Sequence, residues 1–223
     1  MIKDDKNKKD KELQEAGVKF LPFVGDNYED GISFDKDGKL VLAEECPGKK
    51  VLVLGESHYC DEDLSDEELS SFTREVLDCY LKSEERYSWM RTFLKFEHAL
   101  SNADPNFDSE SIWNHLMFYN YLQFPLRGPR MAGDSRRYED ATTPFFAILK
   151  TYQPDCVIVW GRRLLVNLPH EHREKGKFMP SIDMNFWRYK IGGKTIKVLP
   201  IYHPSVDFSW KYWHEVIVEF FKM

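Results

Sequence analysis

Val51-Leu52-Val53-Leu54 are four consecutive branched apolar residues that run into Gly55 and the polar group Glu56-Ser57-His58-Tyr59. An apolar run without alternation marks a strand covered on both faces, as in a mostly parallel sheet with helices above and below. Gly55 lets the chain turn sharply and lets a ligand approach the backbone. Residues just beyond the carboxyl end of such a strand sit where open α/β sheets bind ligands. Glu56, Ser57 and His58 are therefore the first candidate site.

The same grammar recurs downstream. Cys156-Val157-Ile158-Val159-Trp160 is a second buried strand; it ends on Gly161, and a short helix follows over residues 162–168. Ser65 with Glu68 three residues on forms a capping box for a helix carrying Leu69, Phe72, Val76, Leu77 and Tyr80. Further helical patterns cover residues 83–100, 143–152 and 209–221. The aromatic stretch 112–121 reads as a strand after a helical turn. Residues 185–191 and 195–199 read as two strands joined through Gly192-Gly193, and Asp37-Gly38 marks a hairpin. Residues 1–12 read as a solvated end or a late-starting helix, and 125–140 and 169–181 as polar loops. Strands alternating with helices predict an α/β fold: three layers, α/β/α, with a mostly parallel central sheet. The expected organisation is an N-terminal extension with a hairpin over 1–47 and an α/β domain over 48–223.

Composition narrows the function classes. Of the 223 residues 42% are hydrophobic and 15% aromatic, enough for a sizeable core and too much for a disordered chain. A net charge of −6 argues against a broad basic face for gripping nucleic acid, although Arg127, Arg130, Arg136 and Arg137 form a local cluster. Cys46, Cys60, Cys79 and Cys156 form no C-x-x-C pair and match neither a zinc ribbon nor a ferredoxin-type cluster. His170-Glu171-His172 lies among Pro, Arg and Lys and reads as solvated loop, so no metal is expected. The chain shows neither a signal-peptide apolar core nor an apolar run of about 18 residues. The expectation is a cytoplasmic protein with reduced thiols and no membrane contact.

A second polar turn, Tyr202-His203-Pro204-Ser205, also follows an apolar strand. Parallel strands of one sheet end at the same edge, so both turns are expected to face one pocket. A histidine there can donate a hydrogen bond to a developing anion, and Ser205 can cap a helix or meet a phosphate.

These two turns carry a resemblance. The chain resembles the uracil-DNA glycosylase superfamily, whose first motif has the form Gly-x-Asp-Pro-Tyr, Gly-x-Asn-Pro or Gly-Glu-x-Pro and whose last is His-Pro-Ser. Gly55-Glu56-Ser57-His58-Tyr59 and His203-Pro204-Ser205 stand in those places. Phe118-Tyr119-Asn120 with Pro125 and Arg130 resembles the base-reading strand and the loop after it. Pro154 to Gly161 and Val198 to Pro204 resemble the family's remaining strand segments. Together these cover residues 48–221.

The resemblance implies a flipped base in a tight pocket. Asn120 would read its edge and Tyr59 stack on it, with Ser205 beside them. His203 would stabilise the departing base, and Glu56 or His58 would orient water. Ser57 stands where most branches carry an Asp or Asn, and His58 where they carry Pro. Arg127 and Arg130 would contact phosphates of a single-stranded or damaged duplex DNA partner. The Gly-Glu-x-Pro branch holds an iron–sulfur cluster on four cysteines; the spacing here differs, so no cofactor is expected. Two other readings fit the same residues. Gly-Glu-Ser-His resembles the Gly-Glu-x-x-His start of erythromycin-esterase-like hydrolases, and a pocket of this kind also serves a non-catalytic binding module.

Overall fold

Residues 51–55 do form a strand buried on both sides, and the sheet is built outward from it. The computed structural model describes residues 2–42, 48–128 and 131–223. Cys46, and Arg130, to which the sequence assigned a phosphate contact, lie outside the described residues. The strands are β1 (Phe23–Val24), β2 (Ser33–Phe34), β3 (Leu40–Val41), β4 (Val51–Gly55), β5 (Leu116–Asn120), β6 (Cys156–Trp160), β7 (Arg173–Met179), β8 (Met184–Ile191) and β9 (Lys194–Ile201). The helices are α1 (Ile2–Glu15), α2 (Asp66–Lys82), α3 (Met90–Ser101), α4 (Ser109–Trp113), α5 (Ser135–Asp140), α6 (Thr142–Tyr152), α7 (Arg162–Asn167) and α8 (Trp210–Lys222).

Seven strands form one sheet in the order β1-β5-β4-β6-β9-β8-β7. β5, β4, β6 and β9 run parallel, while β1 pairs antiparallel with β5 at one flank and, at the other, β8 pairs antiparallel with β9 and β7 with β8. β2 and β3 form a separate hairpin, with Asp35 Oδ1 accepting from the Asp37 and Lys39 amides in the turn.

Side chains alternate across the central strands and make two cores. Val51, Val53, Phe118, Ile158, Trp160 and Leu199 face α2, α3, α4 and α8. Leu52, Leu54, Tyr119, Val157, Val159 and Val198 face α1, α5, α6 and α7. Helices thus cover both faces, which is why the central strands read as continuous apolar runs. Among the described residues no helix is long and apolar enough to cross a membrane.

Local chemistry sets the helix starts. The Ser65 hydroxyl accepts from the Glu68 amide and the Glu68 carboxylate accepts from the Ser65 amide, closing the capping box of α2. Ser209 caps α8 in the same manner, its hydroxyl accepting from the Tyr212 amide.

Several sequence readings change. α3 begins only at Met90, so residues 83–89 are not helical. Residues 173–179, read as loop, form edge strand β7, and 135–140 of the arginine loop form α5 behind an Asp134 cap. The described part of the N-terminal segment also reaches the main body. β1 joins the main sheet beside β5, and Leu13, Val18, Leu21 and Tyr28 enter the second core.

Candidate functional site

β4 lies between β5 on one side and β6 on the other, so successive parallel strands are laid down in opposite directions from it. The carboxyl edge at such a reversal opens a crevice. Register places Gly55 level with Asn120, Leu54 level with Val159, and Trp160 level with Ile201. The ends of four parallel strands therefore deliver Gly55-Glu56, Asn120, Gly161 and His203 to one edge.

Gly55 has a specific job there. A Cβ at this position would overlap Asn120 Oδ1 and come within 3.2 Å of the Phe118 ring. The Asn120 amide therefore lies across the Gly55 backbone. Asn120 is only 4% exposed, and among the described residues no group hydrogen-bonds its side chain. An amide whose donors and acceptor are not taken by the fold at a strand edge is free to bond a ligand. Phe118 and Trp160 pack with ring centroids 5.4 Å apart, and Trp160 Nε1 is buried without a partner among the described residues.

His203 lies on the other side of Trp160, with ring centroids 6.0 Å apart. Gly161, at a φ of 97°, starts α7 beside His203, and its backbone angle is what requires glycine there. The Ser205 amide donates to His203 Nδ1 at 3.2 Å, and Ser205 Oγ is 2.7 Å from the same nitrogen. An N–H donor on Nδ1 requires a lone pair there, so the neutral ring carries its proton on Nε2. Burial pushes the His203 pKa below its ordinary value; the Glu56 carboxylate opposes this and the Arg163 guanidinium adds to it. His203 is thus a neutral hydrogen-bond donor at neutral pH.

Glu56 turns toward the opposite face. Its carboxylate accepts from Arg163 Nε at 2.7 and 2.9 Å and from Arg163 Nη2, and the Tyr138 hydroxyl donates to it. Burial, reinforced by the Glu56 hydrogen bond and charge, raises the Tyr138 pKa. Tyr59 is 48% exposed at the rim; its pKa is raised by burial of its hydroxyl and then by Glu56, with Arg163 opposing.

The remaining residues of the first motif are placed differently. His58 is 5% exposed and clasped between Phe20 and Phe72, each 4.9 Å away by ring centroids. Its Nε2 lies 2.9 Å from Thr73 Oγ1, and burial pushes its pKa down to about 3. His58 is therefore a packed core residue against α2, and the water-orienting role considered for it has no geometric support. Ser57 Oγ donates to the His58 carbonyl at 2.8 Å and the Phe124 carbonyl at 3.3 Å, which ties the turn to the loop after β5. Arg127 is exposed in that loop. Arg137 lies over the Phe124 ring and 3.8 Å from Asp134, so part of the arginine cluster serves local packing.

The edge thus gathers Glu56, Asn120 and His203, leaves Tyr59 and Arg127 exposed, and turns His58 inward. Arg163 and Tyr138 were not singled out in the sequence. Arg163 follows Gly161, at the edge already marked by that glycine, whereas Tyr138 sits in a helix hidden within an apparent loop. Among the described residues no group of three or more His, Cys, Asp or Glu is arranged to hold a metal ion. No family model matches the chain, and no curated protein matches it significantly.

Proposed function

We propose that this edge is a nucleobase pocket and that the chain is a uracil-DNA glycosylase-like hydrolase acting on a deaminated or damaged base in DNA. The observation that carries the reading is the Asn120 amide, without a hydrogen-bond partner among the described residues and held beside Gly55, at the same strand edge as a neutral His203 that donates through Nε2. An amide offers one acceptor and two donors, which suits the edge of a pyrimidine.

In the reaction the bond between the sugar carbon and the base nitrogen breaks, and its electron pair leaves with the base. The His203 Nε2–H donates to the negative charge that develops there. The sugar carbon becomes cationic, and the Glu56 carboxylate supplies the opposing charge. Arg163 and Tyr138 fix its orientation. A water oxygen then bonds to the sugar carbon, and its surplus proton ends on the departed base.

An esterase-type Glu/His pair is disfavoured, since Glu56 bonds Arg163 and Tyr138 while His58 bonds Thr73. The test is incubation with uracil-containing single- and double-stranded oligonucleotides followed by alkali cleavage. Abasic product from the wild type that is lost in His203→Ala and reduced in Glu56→Gln is expected. No product from any deaminated base overturns the enzyme reading and leaves a binding module.

A further inference from the structure

A second feature lies beyond β9, in the β7–β8 hairpin. A cavity of 480 Å³ opens there, lined by His170, Arg173, Glu174, Lys175, Asn185 and Trp187. The Arg173 guanidinium lies over the Trp187 indole, and Phe178, paired with Asn185, is exposed. Residues 170–197 carry seven Lys or Arg against three Asp or Glu, in a chain of net charge −6. Glu174 is already engaged by Arg188 at 3.1 Å and Lys190 at 2.8 Å. Among the described residues Arg173, Lys175 and Lys177 pair with no carboxylate within 4.0 Å.

Register runs the hairpin along the full height of the sheet. Trp187 pairs with Val198, so Lys175 and Trp187 lie level with Val157 and Leu52, while Asn185 falls level with Pro200, Val159 and so Leu54. Phe178, paired with Asn185, therefore sits near the height of Gly55, four strand spacings along the sheet, or about 19 Å, and Arg173 lies toward the amino end of the parallel strands. Trp187 also packs on the same side as the helices that hold Tyr138 and Arg163.

We infer that the β7–β8 hairpin is a binding track for single-stranded nucleic acid, with the exposed Phe178 offering its ring to bases, Lys175 and Lys177 meeting phosphates, and Trp187 holding the Arg173 guanidinium that joins them. Unpaired cations interleaved with rings are what sequence-tolerant single-strand binding requires. The inference rests on the nucleobase reading for its choice of nucleic acid over another polyanion. Lysines on an edge strand also discourage strand pairing between molecules, and the test separates that role from binding.

The probe is a fluorescein-labelled oligothymidylate, free of uracil, followed by anisotropy across a salt series. The wild type binds, and the exposed double reversal Lys175→Glu with Lys177→Glu weakens binding by at least about tenfold and lowers the salt slope by about 1.4. Trp187→Ala weakens binding at least about fivefold, and Trp187→Phe restores it while controlling for folding. Unchanged affinity in the double reversal, or absence of wild-type binding at low salt, overturns the track. Labelled polyglutamate bound as tightly as the oligonucleotide also overturns it, in favour of an acidic peptide. Loss of excision by the wild-type protein with hairpin-dependent binding intact removes the glycosylase reading alone; excision with hairpin-independent binding removes the track alone.

Discussion

The turns after β4 and β9 both end a buried parallel strand at one edge of the sheet, and each carries a histidine. Their surroundings separate them. His58 is enclosed by Phe20 and Phe72 and bonded to Thr73, whereas His203 is tethered through Nδ1 by Ser205 and charge-coupled to Glu56 and Arg163. Being at the strand end is not what makes a histidine available for chemistry. What matters is whether the ring is enclosed by packing or keeps a nitrogen toward the sheet edge.

The sharpest way to break this contrast is to remove each ring. His203→Ala is expected to lower excision by about 10²–10³-fold, near 3 kcal/mol of transition-state stabilisation, with an almost unchanged urea midpoint. A large fall in midpoint would make His203 structural and erase the distinction. His58→Ala is expected to do the reverse. It removes a buried ring and orphans nothing charged, so folding stability drops by about 2 kcal/mol while excision per folded molecule is retained.

Protonation separates the pair more finely. The His58 pKa lies at about 3 in the fold and at 6.5 in the ordinary state. Between those values the unfolded chain binds a proton that the folded chain refuses, so stability falls as pH falls, by up to about 1.4 kcal/mol per unit. The contribution is intact above 6.5 and fully lost below about 3. Urea unfolding from neutral to mildly acid pH should show a shallower decline in His58→Gln than in the wild type. Parallel declines would place the His58 ring in solvent. The smallest effect expected is in Arg163→Lys, which loses the two-pronged grip on Glu56 and should lower excision by about tenfold without altering binding of the uracil-free oligonucleotide.

The two runs that end on glycine, 51–55 and 156–161, were legible because strands buried on both faces must be apolar throughout. The capping boxes and the Asp37-Gly38 hairpin were legible because their chemistry is local. β7 was hidden because an edge strand rich in Lys, with Gly176 inside a bulge, has the composition of a loop. β1 is two residues long and acquires its strand character only by pairing with Phe118 and Met117. At the site, the meeting of Glu56 and His203 at one edge was legible because parallel strands of one sheet end on the same side. The inward rotation of His58 did not show in the sequence, since it depends on Phe20 and Phe72 arriving from distant segments. Tyr138 was missed for the same reason.

The central position of β4 also governs how the molecule assembles. Leu52 is paired with Met117 on one side and with Val157 on the other, and the edge is complete only when residues near 200 have docked. Few of these contacts are local, so the nucleus must close long loops before burial compensates, and slow folding follows. Until then the apolar 51–54 run has two open edges and no helical cover. A chain growing from its amino end must keep this segment from pairing with its neighbours, which makes it the point most dependent on chaperone protection and most exposed to aggregation.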